Sequence, residues 1–330
     1  MSNGTTEVGI EPRANTEAIV AQPAAPAGPC RVLSLDGGGA KGFYTIGILK
    51  EIEGIVGAPL CDKFQLIFGT STGAIIAALL GLGYEVDKIH GLYKEHVPTI
   101  MRQRKRFART AALKELTKKV FEDFDFHAFK TGVGIVATHW EYERPMIFKT
   151  SVAQAHGQTG TFVPGFGCKI GEAVQASCSA FPFFDRVNLK TSQGENVEVA
   201  DGGFCANNPT MYAITDALRA LKQEPANVRV ISLGVGTYPE PKRAWHQRVL
   251  RRHWLVRLLQ KTLDVNSGSM EQLRQLLFRE VPTIRISETF AKPEMATDLL
   301  EYDLGKLDIL YRQGRESFRR YEAQLREFLL

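Results

Sequence analysis

The run "FQLIFGTSTGAIIAALL" (residues 64–80) limits the fold more than any other. A pentamer that is apolar except for Gln65 leads straight into a glycine–serine turn, and a long apolar stretch follows. A short apolar run closed by a glycine turn reads as a strand buried on both faces, and such strands belong to mainly parallel sheets with helices over them. The spacing Gly69-x-Ser71-x-Gly73 at this junction has the context of a nucleophile elbow, where a sharp turn lifts a serine hydroxyl to the carboxyl end of a strand. Ser71 also sits at the start of the following helix, where free N–H groups and the helix dipole favour developing negative charge. The plain alternative is a glycine-rich turn whose serine is incidental.

The same strand–turn–helix grammar recurs. "RVLSL" (31–35) reads as a buried strand, followed by the turn "DGGGAKG" and a helix from Tyr44 to about Gly54. Residues 85–130 read mainly as helix, "GVGIVATHW" and "RPMIFKT" as a hairpin, and "KIGEAVQASCSAF" as a helix. "NVEVADGG" reads as a strand into a turn, "PTMYAITDALRAL" as a helix and "VRVISLGVG" as a last strand; after Tyr238 the chain reads as largely helical. This pattern predicts an α/β fold, with a mainly parallel central sheet covered by helices and a helical C-terminal elaboration. Residues 1–29, rich in Ala, Pro, Thr and Gly, are expected to form a disordered arm. Residues 30–240 are expected to form the catalytic domain, and 241–330 a helical extension packed on it. The arm has no basic segment followed by an apolar one, and no apolar run reaches the roughly 18 residues of a spanning helix. The expected location is the cytoplasm, with contact to the inner membrane only at its surface.

The turn Gly37-x-Gly39-x-x-Gly42 matches a dinucleotide fingerprint in form. That reading needs an acid at the tip of the next strand, and Asp62 instead precedes the strand at 64–68. A Walker A loop fails because Gly42 and Phe43, not Ser or Thr, follow Lys41. If Ser71 is a nucleophile, the turn has another use. Acyl transfer creates an oxyanion that needs N–H donors placed in advance, and Gly37, Gly38 and Gly39 offer them at the end of a neighbouring strand, with the Lys41 charge nearby.

A serine needs a base. In the chain order Ser, Asp, His only His246 and His253 follow Asp201, and both lie in an Arg-rich stretch that looks like a surface helix. The more suggestive group is Asp201 in "VEVADGGFCANNP", a carboxylate at a strand end before Gly202 and Gly203. Held close and partly desolvated, a carboxylate can take a serine proton directly. On composition alone, the segment reads equally well as a plain turn.

"DGGGAKG", "GTSTG" and "ADGGFCANNP", in this order and spacing, resemble the patatin-like phospholipase family. The resemblance spans about residues 31–236. It implies a Ser–Asp dyad without histidine: Ser71 as nucleophile, Asp201 as base, and Gly37, Gly38 and Gly39 as the oxyanion hole. Gly69, Gly73 and Gly202 shape the turns, and Lys41 stands where the family usually has arginine. One departure is "ASCSAFPFF", where Phe181 takes the place expected for proline and Pro182 follows. The overall layout is also similar to bacterial phospholipases that act as effectors in cyclic-nucleotide anti-phage signalling. That similarity implies a cyclic dinucleotide activator, with membrane phospholipids as substrate. Two alternatives stay open at this point. One is a Ser-His-Asp esterase using His246 or His253; the other is a non-catalytic nucleotide-binding module in which Ser71 is inert.

Five scattered cysteines without a CxxC argue against a disulfide framework or a zinc site, and no metal or cofactor is expected. The balance of 41 Lys+Arg against 36 Asp+Glu gives a net +5, too mild to call for DNA or RNA. The cations cluster, however. Residues 101–119 hold eight, and this stretch reads first as a solvated helix face and next as contact with an anionic membrane surface. Residues 242–261 mix seven with Trp245 and Trp254, which suits equally a helix packed on the domain with its charges solvated and an anionic membrane surface, with an activator pocket as a third use. Arg248, Arg251, Arg252 and Trp254 are the candidate contacts. A homo-oligomer is compatible with the sequence.

Overall fold

The computed structural model describes residues 28–157, 159–238 and 251–330, and of residues 251–254 the backbone only. Most of the expected arm (1–27) and the boundary at 240/241 lie outside the described residues. Eight strands build one sheet: β1 (Cys30–Leu35), β2 (Leu66–Thr70), β3 (Gly132–His139), β4 (Arg144–Lys149), β5 (Val187–Lys190), β6 (Asn196–Asp201), β7 (Val228–Leu233) and β8 (Thr283–Ile286). Their order in space is β5-β6-β3-β2-β1-β7-β8, with β4 also paired to β3. The run from β3 to β8 is parallel, while β4, β5 and β6 join antiparallel.

The helices are α1 (Gly42–Val56), α2 (Leu60–Lys63), α3 (Thr72–Gly81), α4 (Val86–Met101), α5 (Arg106–Phe121), α6 (Ile170–Ser177), α7 (Gly203–Ala206), α8 (Thr210–Thr215), α9 (Arg251–Leu277) and α10 (Leu304–Leu329). They cover both faces, which is why the central strands are apolar at nearly every position. Alternate residues feed two cores. Leu33, Leu35 and Ile67 pack with α1, α3, α4, α5 and α10 on one face. Cys30, Val32, Leu66 and Phe68 pack with Ala213, Ile214 and Ala217 on the other.

The mainly parallel, helix-covered sheet and the β3–β4 hairpin follow the sequence pattern. Elsewhere the bounds differ: β5 is not anticipated by that pattern, and the helices read over 169–181 and 209–221 close as α-helix at Ser177 (α6) and Thr215 (α8). The strand expected over 64–68 runs over Leu66–Thr70, so its ladder reaches the residue before Ser71. The segment after Tyr238, read as largely helical, also supplies β8, which extends the sheet beside β7 from Val230↔Thr283 to Leu233↔Ile286. Four residues between two long helices carry too little alternation to stand out. Among the described residues, no helix is long and apolar enough to cross a membrane.

Candidate active site

Two strands meet head to head on one edge of β3. β2 ends with Thr70 opposite Val136, and β6, running the other way, ends with Asp201 opposite Ala137. The other edge of β3 is occupied at the same two residues by β4, through Ile147 and Met146. The residue after β2 and the last residue of β6 are thereby brought together: Ser71 Oγ donates to Asp201 Oδ2 at 2.7 Å. A bond that short leaves no room for an imidazole between them. His246 lies outside the described residues, and His253 is placed only as backbone in the first turn of α9.

Ser71 has φ 52 and ψ −122, a conformation that costs a non-glycine residue about 1–3 kcal/mol and persists only where neighbours enforce it. Its N–H donates to Ser177 Oγ at 2.9 Å, and Ser177 in turn donates to Val136 O at 2.5 Å. At Gly73, a Cβ would lie 2.2 Å from Leu35 O, so the turn closes against β1 only with glycine there. Gly69 faces this contact from the strand side, its Cβ position 2.2 Å from Gly73 O.

Asp201 is 3% exposed. Its Oδ1 accepts from Gly203 N–H at 2.7 Å, its carbonyl accepts from Thr138 Oγ1 at 2.9 Å, and Gly202 N–H reaches Ser177 O at 3.4 Å. Burial raises the Asp201 carboxyl to about 6, against the opposing hydrogen bonds from Ser71 and Gly203. That is a base poised just below neutral pH. Cys178 lies in the same cleft, but burial and the Asp201 charge push its thiol well up, so it stays protonated and is no rival nucleophile.

The glycine turn faces this pair, and its three residues differ. Gly37 N–H donates to Asn207 O at 2.9 Å, and Asn207 Nδ2 donates back to Gly37 O at 3.2 Å. The Gly37 amide is therefore occupied. The amides of Gly38 and Gly39 find no acceptor among the described residues, and both glycines line the cleft with Ser71 and Asp201. Gly39 has φ +57, and Leu299 O sits 2.4 Å from where its Cβ would be. Lys41 is buried with its Nζ 3.4 Å from Gly236 O and 3.9 Å from Asp264 of α9. It fastens the turn to α9, and it does not line the cleft.

The segment after Tyr238 completes the site. Arg285 of β8 grips Asp36, the residue before the glycines. Asn207, which clasps Gly37, is itself held by Asn266 and Ser267 of α9, at 2.9 Å and 2.8 Å. Leu259 and Leu263 of α9, with Leu299 and Leu300, form one wall of the cleft. The opposite walls come from Ile75, from Val97, Ile100 and Met101 of α4, from Leu113 and Leu116 of α5, and from Ala180, Phe183 and Phe184. The result is an apolar slot, suited to an acyl chain, with the serine and the carboxylate in its lining. Sequence reasoning gave Asn207 no role and missed Ser177 and Arg285. Asn207 at least stands in the quoted "CANNP", whereas nothing marks Arg285 in "PTIRIS". Of the other basic-stretch candidates, Arg248 lies outside the described residues, and Arg251, Arg252 and Trp254 are placed as backbone at the start of α9.

A family model described as Patatin-like phospholipase matches residues 33–214, more than half of the chain. The chain is 62% identical over 301 residues to a cUMP-AMP-activated phospholipase of Escherichia coli, covering 91% of this chain and 94% of that one. It is 29% identical over 241 residues to a cGAMP-activated phospholipase of Vibrio cholerae, covering 64% of each. Among solved structures, VipD from Legionella pneumophila is similar at a TM-score of 0.49 and 12% identity, over 91% of this chain and 67% of VipD. The matched range holds the glycine turn, the Ser71 elbow and the Asp201 strand end, and on that match the chain belongs to the patatin-like phospholipase family.

Proposed function

We propose that this chain hydrolyses acyl esters of membrane phospholipids through a Ser71–Asp201 dyad, and that a cyclic dinucleotide switches it on. The observation that carries the chemistry is the 2.7 Å bond from Ser71 Oγ to Asp201 Oδ2, in an apolar slot also lined by Gly38 and Gly39, whose amides have no acceptor among the described residues. Asp201 takes the Ser71 proton as Oγ attacks the ester carbon. The tetrahedral oxyanion accepts from Gly38 and Gly39 N–H, while Gly37 shapes the turn. Collapse expels the lysolipid alkoxide, which Asp201 protonates. Water then attacks the acyl-Ser71 ester, giving its proton to Asp201; collapse breaks the bond to Ser71 Oγ, Asp201 returns the proton to Oγ, and the fatty acid leaves.

The nucleotide-module reading is disfavoured by the same geometry. The Gly37 amide is taken, Lys41 Nζ lies by Gly236 O and Asp264, and Gly38 and Gly39 line a slot whose walls, among the described residues, are apolar and without cations that would hold a pyrophosphate. The activator reading rests on relatives, above all the cUMP-AMP-activated phospholipase that this chain matches over 94% of that protein's length. Such control fits an enzyme that would otherwise attack its host's inner membrane, and its use would be antiviral defence. Fatty-acid release from phosphatidylglycerol–phosphatidylcholine vesicles, with and without cUMP-AMP or cGAMP, tests both parts. Wild type should respond to cUMP-AMP, and Ser71→Ala and Asp201→Asn should release nothing. Retained release in either variant overturns the dyad. Equal release without nucleotide overturns the activation.

A further inference from the structure

The α4–α5 junction runs from the slot wall out to the surface and back. Ile100 and Met101, at the end of α4, line the slot, and the chain then turns outward into α5. Arg102, Arg104, Lys105, Arg106 and Phe107 are all exposed, Phe107 at 64%. Six residues on, about 9 Å along the helix axis, Leu113 is back in the slot wall.

Cations and rings interlock around this junction. Arg102 lies 5.7 Å from the ring of Tyr302, which is 48% exposed and follows the slot residues Leu299 and Leu300. Lys105 lies 5.6 Å from the Phe107 ring. Arg106 and Arg186 lie 5.6 Å and 5.2 Å from Phe181, next to the slot wall at Phe183. Arg109 Nη1 donates to Phe183 O at 3.4 Å, and Asp185 N–H donates to Thr110 Oγ1 at 2.8 Å, so α5 is tied to this wall. Acids are present but engaged: Asp185 pairs with Arg106, Glu301 with Lys306, and Asp303 accepts from the first amides of α10.

A large exposed ring among cations, beside a slot for acyl chains, matches the chemistry of a lipid headgroup layer. There the rings enter the acyl boundary and the cations stay with phosphate. We propose that the α4–α5 junction is the membrane-docking surface of this protein: Phe107 inserts into an anionic phospholipid bilayer, and Arg102 and Lys105 sit on lipid phosphates. Residues 101–119, for which the sequence put a solvated face only slightly ahead of membrane contact, thereby take the lipid contact. The purpose of docking rests on the phospholipase reading; docking itself is measured apart from it.

In a Ser71→Ala chain, which leaves the lipid intact, co-sedimentation is measured with phosphatidylcholine vesicles, with and without phosphatidylglycerol and with and without cUMP-AMP. Adding Arg102→Ala and Lys105→Ala should weaken binding to phosphatidylglycerol vesicles about thirty-fold, at about 1 kcal/mol per cation, and leave binding to neutral vesicles nearly unchanged. Emission from Phe107→Trp should move to the blue on vesicles by more than that of the parent chain. With Ser71 present, Arg102→Ala, Lys105→Ala and Phe107→Ala together should lower fatty-acid release from vesicles yet hydrolyse a soluble short-chain ester at the wild-type rate. Undiminished binding of the double cation variant to phosphatidylglycerol vesicles, or Phe107→Trp emission that stays put, overturns the docking surface. A wild-type chain that cleaves neither ester nor lipid, yet loses vesicle binding with the two cations, sinks the catalytic reading and supports the docking surface.

Discussion

Arg285 holds Asp36 with two nitrogens, Nη1 on Oδ1 at 2.8 Å and Nη2 on Oδ2, across 249 residues of sequence. Asp36 is 2% exposed; burial raises its carboxyl, and the Arg285 charge opposes that rise. Removing one partner of a buried pair strands the other, at about 3–5 kcal/mol. Arg285→Met should therefore lower unfolding free energy by that order, and Asp36→Asn added to it should recover most of the loss in urea titrations. The double variant should still turn over more slowly than wild type, because the lead into Gly37–Gly39 is no longer clamped. A single variant within about 1 kcal/mol of wild type contradicts the clamp.

The pH profile should report Asp201. Its carboxyl, lifted by burial to about 6, must be ionised to act as base, so kcat/KM on a soluble ester should rise through about pH 6 and then level. Stability should run the other way. The folded value exceeds the ordinary 3.8, so the folded chain binds this proton more tightly, and that contribution is full below about pH 4 and lost as pH climbs through 6. Ionised Asp201 thus costs on the order of 3 kcal/mol at pH 7. Asp201→Asn should be inactive and melt above wild type at pH 7, with the gap closing near pH 4. A gap that does not depend on pH contradicts the assignment.

Ser71→Ala and Ser71→Gly should both lose turnover, but they should not melt alike. Positive φ costs alanine what it costs serine, about 1–3 kcal/mol, while glycine adopts it freely. Glycine's extra freedom in the unfolded chain offsets about 0.4–1 kcal/mol of that gain. Calorimetry should place Ser71→Gly above Ser71→Ala, and the reverse order argues that the elbow is not strained.

A Cβ at Gly38 would lie 2.5 Å and 2.8 Å from the two methyls of Val235. Gly38→Ala should push the turn away from Ser71 and lower kcat about 10²–10³-fold, the usual loss for one oxyanion donor. Because only the amide is needed, Val235→Ala in the same chain should restore a large part of the rate. No recovery in the double variant would count against a donor role for Gly38.

Ser71 and Asp201 were legible because each is a polar residue where a buried strand breaks into glycine, a local pattern readable without knowing the fold. That they touch is a property of β3, whose edge carries both strands, and periodicity does not reveal which strands share an edge. Arg285 was illegible for the same reason, set in a four-residue strand with no flanking turn signal. Lys41 shows a further limit: its position near the serine could be read, but its direction depends on Asp264 of α9, far along the chain. Phe107 has no signal of its own within the charged stretch 101–119; what sets it apart is its exposure beside the slot.

The head-to-head meeting of β2 and β6 has a consequence for synthesis. A ribosome makes Ser71 long before Asp201, and Arg285 later still, so a nascent or prematurely ended chain cannot hold the whole catalytic arrangement. Lipid-cleaving chemistry arises only when the sheet has closed in register and its last edge strand has docked. For a phospholipase, the topology acts as a proofreading step: fragments and misfolded copies lack the assembled site.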